Sequence, residues 1–493
     1  MRSADLPTRP SRWLALAVLC AGMLMIILDQ TVVNVALPAI QSELGFSQSS
    51  LAWVVNAYLI PFGGLLLLAG RVGDLLGRKR VLVTGLLVFT AASLLCGLST
   101  SQEMLIGARF VQGMGGAMAS ALILGMIVAM FPEPAEQARA IGVFSFVAAA
   151  GGSIGLLAGG ILTQAINWHW IFFVNLPIGV AAAVASVRLL EPERGLGLSQ
   201  GADVVGAGLV TSSLMLGVYT IVGEAADHGW GAPRTIAFAT LAVVLLVGFV
   251  VRQATHDRPL LPLRLFASRN VSGANVIQAL MVAGLFGMFF LGSLYLQRVL
   301  EYDALQIGLA FLPVALAIGA LSVDISARLT TRFGARVVLL AGLSLILPGL
   351  VWFARAPLDG TYLTDLLPSM LLLGIGGGLS FPALMTLAMS DATSDDAGLV
   401  SGLVSTTAQV GGALGLAVLA TLSKSHTDRL LAEGESPAAA LLGGYHLAFS
   451  IGAALVLIGI VLAVTVLRRP SAMAAKAPVG HAPAPEAAEC WAA

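Results

Sequence analysis

The sequence predicts an all-α, polytopic membrane protein with fourteen transmembrane helices, arranged as two six-helix bundles plus two extra central helices. Three observations lead to this class. Hydrophobic residues make up 58% of the 493 residues, and charged residues make up only 11%. An average soluble domain is about 25% charged, so this chain has too few charges to cover a water-facing surface. Its apolar residues are also collected in long runs that turn and charge signals separate.

Each run is interpreted as one spanning helix, because a helix that crosses the hydrocarbon core needs about 20 apolar residues. In chain order the runs fall at residues 13–37, 50–69, 81–99, 104–131, 138–163, 170–188, 204–223, 234–251, 271–296, 304–327, 337–355, 364–390, 398–422 and 445–467. The first six form an N-terminal bundle over residues 13–188, and the last six form a C-terminal bundle over residues 271–467. Residues 204–251 hold the two additional helices, which together cross once in each direction and so preserve the later topology.

Two tails flank the helices. The first run follows Arg2, Arg9 and Arg12 and has no A-x-A-like cleavage site after it. We therefore interpret it as a retained helix behind a cytoplasmic tail at residues 1–12. Residues 468–493 are rich in Pro and Ala and lack apolar periodicity, which predicts a disordered cytoplasmic tail.

The distribution of Lys and Arg predicts the orientation. With a cytoplasmic N-terminus, twenty of the 26 Lys and Arg residues fall in cytoplasmic segments, five fall outside and Arg109 lies within a helix. Cytoplasmic loops carry an excess of Lys and Arg. This bias predicts a multi-pass plasma-membrane protein with both termini in the cytoplasm.

Enzymatic, ATP-driven and metal-dependent functions lack a supporting motif. The chain has no G-x-x-x-x-G-K-[ST] sequence and therefore no phosphate-binding loop for ATP. Residues 151–155 match G-x-S-x-G, but they lie inside an apolar run, whereas a nucleophile elbow needs a strand before it. The three cysteines show no metal-ligand spacing, and the zero net charge implies no nucleic-acid partner. We predict no enzyme activity, no metal and no cofactor, so active transport would draw on an ion gradient.

Three ionisable side chains, Asp29, Arg109 and Asp324, lie at membrane depth. Such groups are costly there and mark functional sites. Counted at 1.5 Å per residue, Asp29 lies about 16 Å and Arg109 about 9 Å below the external ends of their helices, so the two can meet or share a cavity. The pair fits a carboxylate that takes up and releases a proton under the control of a nearby cation; a static ion pair is the alternative. Asp324 lies near the cytoplasmic loop and can pair with Arg328.

Polar and glycine-rich helix faces are expected to look inward. Lipid cannot satisfy polar side chains, so they line a solute cavity or join helices. The residues that we assign to a substrate cavity are Gln30, Asn34, Gln112, Asn275 and Gln278. A spacing of four residues places Gly151, Gly155 and Gly159 on one smooth face, which predicts close helix packing.

A loop sequence recurs faintly in the two halves of the chain. The loop after the second helix contains Gly70, Arg71, Asp74, Gly77 and Arg78. In the loop after the tenth helix, the matching pairs are Arg71 with Arg328, Gly77 with Gly334, and Lys79 with Arg336. Repeated halves with a site between them are a known way to build a transporter.

At these residues the chain resembles the fourteen-helix drug:proton antiporter branch of the major facilitator superfamily. The resemblance covers nearly the whole chain and is carried by the stretches Leu28–Pro38, Gly70–Arg80, Arg109–Gly113, Trp168–Gly179 and Gln409–Gly415. Three positions depart from the pattern of the branch. Leu156 stands where Pro is usual, His169 where Arg is usual and Ala408 where Arg is common.

The resemblance implies alternating access, a central cavity and proton-coupled efflux. It gives Asp29 and Arg109 a role in proton coupling, and it gives Asp74 and Arg78 a gating role at the cytoplasmic face. The expected function is export of hydrophobic or amphipathic drugs and antibiotics from a bacterial cell by a monomer that binds substrate and protons within the lipid bilayer. A substrate-specific metabolite or siderophore transporter, working as an exporter or a proton symporter, and a non-transporting membrane sensor remain alternatives.

Overall fold

The computed structural model describes residues 9–47, 49–131, 133–191, 195, 197, 202–256, 259–390 and 397–468. The regular structure of these residues is helical throughout, as predicted. We label the long helices α1 (Arg9–Leu44), α2 (Ala52–Leu76), α3 (Arg78–Gly97), α4 (Gln102–Met130), α5 (Pro134–Ala165), α6 (Asn175–Leu189), α7 (Val204–Tyr219), α8 (Pro233–Thr255), α9 (Arg269–Arg298), α10 (Ala304–Ala320), α11 (Ala335–Phe353), α12 (Leu367–Met389), α13 (Ala397–Ala432) and α14 (Pro437–Thr465). The predicted tails lie outside the described residues up to residue 8 and from residue 469 onward.

Short helical segments extend several of these helices. The four-residue helix Trp170–Phe173 precedes α6. The π-helical turn Thr220–Glu224 and the short helix Ala225–His228 follow α7. The π-helical turn Leu321–Ile325 and the eight-residue helix Ser326–Phe333 follow α10, and the π-helical turn Tyr362–Leu366 precedes α12. Such π-helical turns often mark functional sites or kinks in helices. The run predicted as one helix at 304–327 is therefore interrupted after Ala320.

Twelve helical segments among the described residues are long and apolar enough to cross a membrane. They coincide with twelve of the fourteen predicted runs, and the runs at 204–223 and 234–251 are among them. The other two runs fall on α5 and α10, where the apolar stretches Ile154–Ala165 and Ala304–Ala320 are shorter. The described residues thus contain twelve candidate spans, two fewer than the predicted fourteen.

Helix contacts group α1–α6 and α9–α14. Within the first group α1 packs against α5 and α6, while α4 packs against α2 and α3. Within the second group α9 packs against α13 and α14, and α11 packs against α12 and α14. The groups meet along two seams, one between α2 and α13 and the other between α5 and α10.

Helices α7 and α8 pack against each other beside the seam between α2 and α13. Helix α7 contacts α2, and Thr421 of α13 donates a hydrogen bond of 3.2 Å to the carbonyl of Ile221 after α7. Helix α8 leaves large apolar side chains exposed, including Ile236, Val243 and Val247. An apolar surface of this extent is suited to contact with lipid.

The faint loop repeat appears as matching geometry at two helix ends. The Nζ of Lys79, at the start of α3, donates 2.7 and 2.5 Å hydrogen bonds to the carbonyls of Val187 and Leu190 at the end of α6. Arg336, at the start of α11, donates to the last carbonyls of α14 in the same way. Positively charged groups stabilise the C-terminal ends of helices, where carbonyls lack intrahelical partners. In each half, a cation at the start of one helix thus binds the end of the helix three places later. Lys79 of α3 binds the end of α6, and Arg336 of α11 binds the end of α14.

The glycine face of α5 lies against α1. A Cβ atom at Gly155 would lie 3.1 Å from the Leu28 carbonyl oxygen, and one at Gly159 would lie 2.9 Å from that of Val32. A Cβ atom at Gly151 would lie 3.1 Å from the side chain of Ile27. Side chains larger than hydrogen would separate the two helices, because lipid-embedded helices approach closely only through small residues.

Candidate functional site

The strongest candidate site is a buried ion pair between α1 and α4. The Nη1 of Arg109 donates to Oδ2 of Asp29 over 2.6 Å. Asp29 is 0% exposed and Arg109 is 1% exposed. The sequence placed Asp29 and Arg109 at depths where they could meet, and the structure shows them in direct contact. A charge pair without solvent is weakly screened, so any change in the charge of one partner acts strongly on the other.

Amide side chains complete the hydrogen bonding of the carboxylate. The Oδ1 of Asp29 accepts hydrogen bonds from Nε2 of Gln112 at 2.7 Å and from Nδ2 of Asn175 at 2.9 Å. Gln112 also donates to the hydroxyl of Ser93 at 2.7 Å. Side chains of four helices, α1, α3, α4 and α6, thus form one hydrogen-bonded cluster around Asp29, in which Ser93 of α3 bonds Gln112 and Asn175. The described partners of the Asp29 carboxylate are all hydrogen-bond donors.

The guanidinium of Arg109 is fixed on three further sides. Its Nε donates to the carbonyl of Val54 at 2.9 Å, and its Nη1 also donates to Oε1 of Gln112 at 2.7 Å. Its Cζ lies 4.4 Å from the ring centre of Tyr58 and 5.8 Å from that of Phe172. An arginine can use several donors at once and can stack on aromatic rings. Arg109 can therefore keep partners of its own if Asp29 becomes neutral.

Sequence reasoning did not identify Ser93, Asn175, Tyr58 or Phe172 as parts of this site. Asn175 and Phe172 fall in the stretch from Trp168 to Gly179, which carries part of the family resemblance. The signal for Asn175 was available, since it is a lone amide in an apolar run. The Val54 carbonyl gave no such signal, because a backbone acceptor has no sequence signature.

The five residues assigned to a substrate cavity are not brought into one wall. Gln112 is buried in the ion-pair cluster, and its assignment to a substrate cavity stays a prediction. The Nε2 of Gln30 donates to the Tyr58 hydroxyl at 3.3 Å, and Nδ2 of Asn34 donates to the Gln30 carbonyl at 3.2 Å.

The remaining two lie on α9. Asn275 donates to the Val271 carbonyl and accepts from the hydroxyl of Thr407, both at 2.8 Å. Gln278 is buried on the same helix. The described contacts of Asn34 and Asn275 thus stay within their own helix groups.

The predicted gating loop forms a turn between α2 and α3. Arg78 donates to Oδ1 of Asp74 through Nε at 3.2 Å and through Nη2 at 3.1 Å. Gly77, with φ of +98°, lets the chain reverse between the helices. The described partner of Asp74 lies within its own loop, and Gly70 and Arg71 lie in the last turns of α2. Asp324 lies in the π-helical turn after α10, and its side chain is outside the described part of the chain.

The position where His169 replaces the usual Arg ties three segments together. Nδ1 of His169 lies 3.0 Å from the carbonyl oxygen of Gly97, and Nε2 lies 3.1 Å from Oε1 of Glu43. The indole nitrogen of Trp168 donates to Oε2 of Glu43 at 2.8 Å. The two ring nitrogens of His169 therefore join the end of α3 to the end of α1.

A second buried carboxylate joins α7 to α8. Asp203 accepts hydrogen bonds from Nε of Arg252 at 2.5 Å, from Nε2 of Gln253 at 2.8 Å and from the Gly206 amide at 2.8 Å. Burial disfavours the ionised form, but these hydrogen bonds outweigh it and lower the pKa of Asp203 below its usual value. This cluster lies at the end of the helices, and its fixed charge suits a structural clamp.

Known proteins similar to this chain include antibiotic resistance and export proteins. The sequence profile of the Major Facilitator Superfamily matches residues 19–416. A puromycin resistance protein of Streptomyces alboniger is 39% identical over 90% of this chain and 89% of its own length. A cephamycin export protein of Amycolatopsis lactamdurans is 37% identical over 85% of this chain and 86% of its own length.

A solved structure has the same fold. It is a bacterial homolog of the human lysosomal transporter Spinster in an inward-facing, unoccupied conformation, with a TM-score of 0.64 and 16% identity. The alignment covers 92% of this chain and 97% of that chain.

Proposed function

This chain belongs to the Major Facilitator Superfamily, and we propose that it is a proton-coupled efflux transporter that exports hydrophobic or amphipathic compounds, antibiotics among them, across the bacterial plasma membrane. Relatives named for antibiotic resistance and export support the efflux direction. The ion pair between Asp29 and Arg109 carries the proposal of proton coupling. Among the described residues, this pair joins an acid to a base at membrane depth. The charge of Asp29 can change there without the unfolding of a loop.

The geometry of the pair supports proton exchange at Asp29. When Asp29 takes up a proton, its bond with Arg109 weakens, while Arg109 keeps the Val54 carbonyl, Gln112 and the Tyr58 ring. When the proton leaves, the carboxylate recovers its four-helix shell. Alternation between these states, coupled to seam opening on alternate sides, would give one proton in for one compound out.

The available energy is sufficient for this exchange. Moving one proton through about 100 mV yields about 2.3 kcal/mol, and a difference of one pH unit adds about 1.4 kcal/mol. A tenfold concentration ratio requires about 1.36 kcal/mol. One proton therefore supports a gradient of a few hundred-fold for a neutral compound.

Export and proton coupling are tested together in inverted membrane vesicles from an efflux-deficient host. We expect an imposed proton gradient to drive uptake of the exported compound and a susceptibility panel to show resistance in cells. Competition among dissimilar compounds would indicate a multidrug transporter, and transport of a single metabolite or siderophore would indicate a specific one. Proteoliposomes that show no solute-linked proton flux would contradict the proposal and favour a sensor.

We further propose that α5 and α10, with its continuation to Phe333, also cross the membrane and bring the number of spans to fourteen. Leu263→Cys and Arg332→Cys should then both resist an impermeant thiol reagent in intact cells, in a background that lacks Cys20, Cys96 and Cys490. Glu435→Cys, between α13 and α14, should react as the external control. Labelling of residue 263 or 332 from outside would contradict this topology.

Asp74 is proposed to control opening at the cytoplasmic face. Asp74→Asn should lower the transport rate at least tenfold while substrate affinity changes less than twofold, because the loop changes the opening equilibrium and not the binding site. The measurement is uptake into inverted vesicles beside equilibrium binding to purified protein. Asp428→Asn is the matched control, since Asp428 forms an exposed ion pair with Lys424 four residues away. If both variants transport at equal, near-normal rates, Asp74 is a solvated surface charge with no role in opening.

A further inference from the structure

The seam between α2 and α13 brings the two helix groups into backbone contact. A Cβ atom at Gly63 would lie 2.8 Å from Cβ of Gln409 and 3.4 Å from the carbonyl oxygen of Thr406. A Cβ atom at Gly402 would lie 2.5 Å from the side chain of Leu67. Residue numbers rise on α2 as they fall on α13, so the two helices run antiparallel.

Three polar side chains at this seam have buried atoms without a hydrogen-bond partner. The unpaired atoms are the amide oxygen and the amide nitrogen of Asn56, the hydroxyl of Thr406 and the amide oxygen of Gln409. Asn56 is 0% exposed. Asn56 precedes Gly63 by seven residues, which is close to two full helical turns, so it lies on the face of α2 that contacts α13.

The neighbouring polar contact within one helix group is satisfied, in contrast to the seam. Thr407, one residue after Thr406, donates to Asn275 at 2.8 Å. A buried polar group without a partner loses its hydration and gains nothing in return. An asparagine with both amide atoms unpaired is therefore expected to find its partners in another state of the protein, when the seam opens.

We propose that Asn56, Thr406 and Gln409 form a neutral hydrogen-bonding subsite that contacts the exported compound when the seam between α2 and α13 opens. This rests on the proposed function and specifies its substrate class. The seven residues from Asn56 to Gly63 span about 10 Å, so the subsite fits an elongated amphipathic molecule. That molecule carries uncharged donors and acceptors, such as amide and hydroxyl groups, because the seam offers both without a formal charge.

A subsite of this kind separates compounds by their hydrogen-bonding groups. A site built to hydrogen-bond its ligand rejects an analogue that lacks those groups, since its own polar atoms then stay unpaired. Puromycin carries amide, hydroxyl and amine groups, whereas tetraphenylphosphonium carries no hydrogen-bonding group. The first compound should depend on the subsite and the second should not.

The test compares Asn56→Leu and Gln409→Leu with the wild-type protein. We expect each variant to raise the Kd for puromycin, measured on purified protein, and its KM in inverted vesicles at least tenfold. Tetraphenylphosphonium should change less than twofold in both. The matched control is Thr211→Val, because the Thr211 hydroxyl is also buried and unpaired but faces Gly64 of α2 from α7.

Thermal unfolding separates this role from a structural one. No described hydrogen bond is lost in Asn56→Leu or Gln409→Leu, so their melting temperatures should equal or exceed that of the wild type. A marked loss of stability in both, an equal change for both compounds, or no puromycin binding by the wild type would overturn the subsite. Failure of the wild-type protein to export any compound while puromycin binding keeps its dependence on Asn56 would instead contradict only the proposed function.

Discussion

Replacement of Asp29 by asparagine should abolish proton-driven export while substrate binding persists. In Asp29→Asn the side chain keeps its shape and can still accept from Gln112 or Arg109, but it can no longer carry a proton in exchange. We expect uphill transport to fall at least a hundred-fold, and downhill exchange of compound to remain. Substrate-induced proton release from purified protein should disappear.

The variant leaves the Arg109 guanidinium without its buried counter-ion. Removal of one partner of a buried ion pair costs roughly 3–5 kcal/mol. The retained contacts with the Val54 carbonyl and the Tyr58 ring should keep the loss at the lower end of that range. A monodisperse protein that melts at a lower temperature yet binds its compound is therefore expected.

Glu224→Gln is the matched control for this experiment. Glu224 is 3% exposed, and its Oε1 lies 3.3 Å from Nη2 of Arg234, so it is another buried acid with an arginine partner. Because Glu224 lies in the π-helical turn after α7 and its described partners are Tyr219, His228 and Arg234, Glu224→Gln should retain proton release and driven export. If Asp29→Asn retains both as well, the proton carrier is another residue, and Asp324 is the next candidate.

The sequence predicted helix positions well because apolar runs and their charged boundaries are local signals. The run at 271–296 lies within α9, and the run at 50–69 lies within α2 except for its first two residues. The π-helical turns after α7 and α10 were not predicted, since a change in hydrogen-bond register leaves the apolar pattern almost unchanged. The π-helical turn after α10 ends this α-helix at a length that is too short for a single span.

Site residues are easier to predict from the sequence where their chemistry is rare than where it is shared. A carboxylate and a guanidinium at membrane depth are costly enough to identify Asp29 and Arg109 from the sequence. Amides are cheaper and serve several purposes, so the sequence alone did not indicate that Gln112 contacts the ion pair. The unpaired state of Asn56 depends on which helix faces it, and that information exists only in the packing of α2 against α13.

Replacement of Arg109 should have the second largest effect on transport. Arg109→Ala removes the cation that favours ionised Asp29, so the buried carboxyl is expected to remain protonated. Asp29 can become neutral by keeping its proton, whereas an arginine cannot lose its charge. We therefore expect Arg109→Ala to fold with a smaller loss of stability than Asp29→Asn, but to lose substrate-induced proton release and at least a hundred-fold in driven export.

Arg109→Lys distinguishes the charge of this residue from its shape. A lysine keeps the positive charge near Asp29, yet one ammonium group cannot reproduce the planar fork that reaches Asp29, Gln112 and the Val54 carbonyl together. Partial recovery of proton release, measured by a pH indicator as substrate is added, is the expected result. Arg252→Ala is the matched control, because Arg252 pairs with buried Asp203 outside the four-helix site and should leave proton release intact. Full proton release by Arg109→Ala would mean that Asp29 exchanges its proton without the arginine and that the pair is a static tie between α1 and α4.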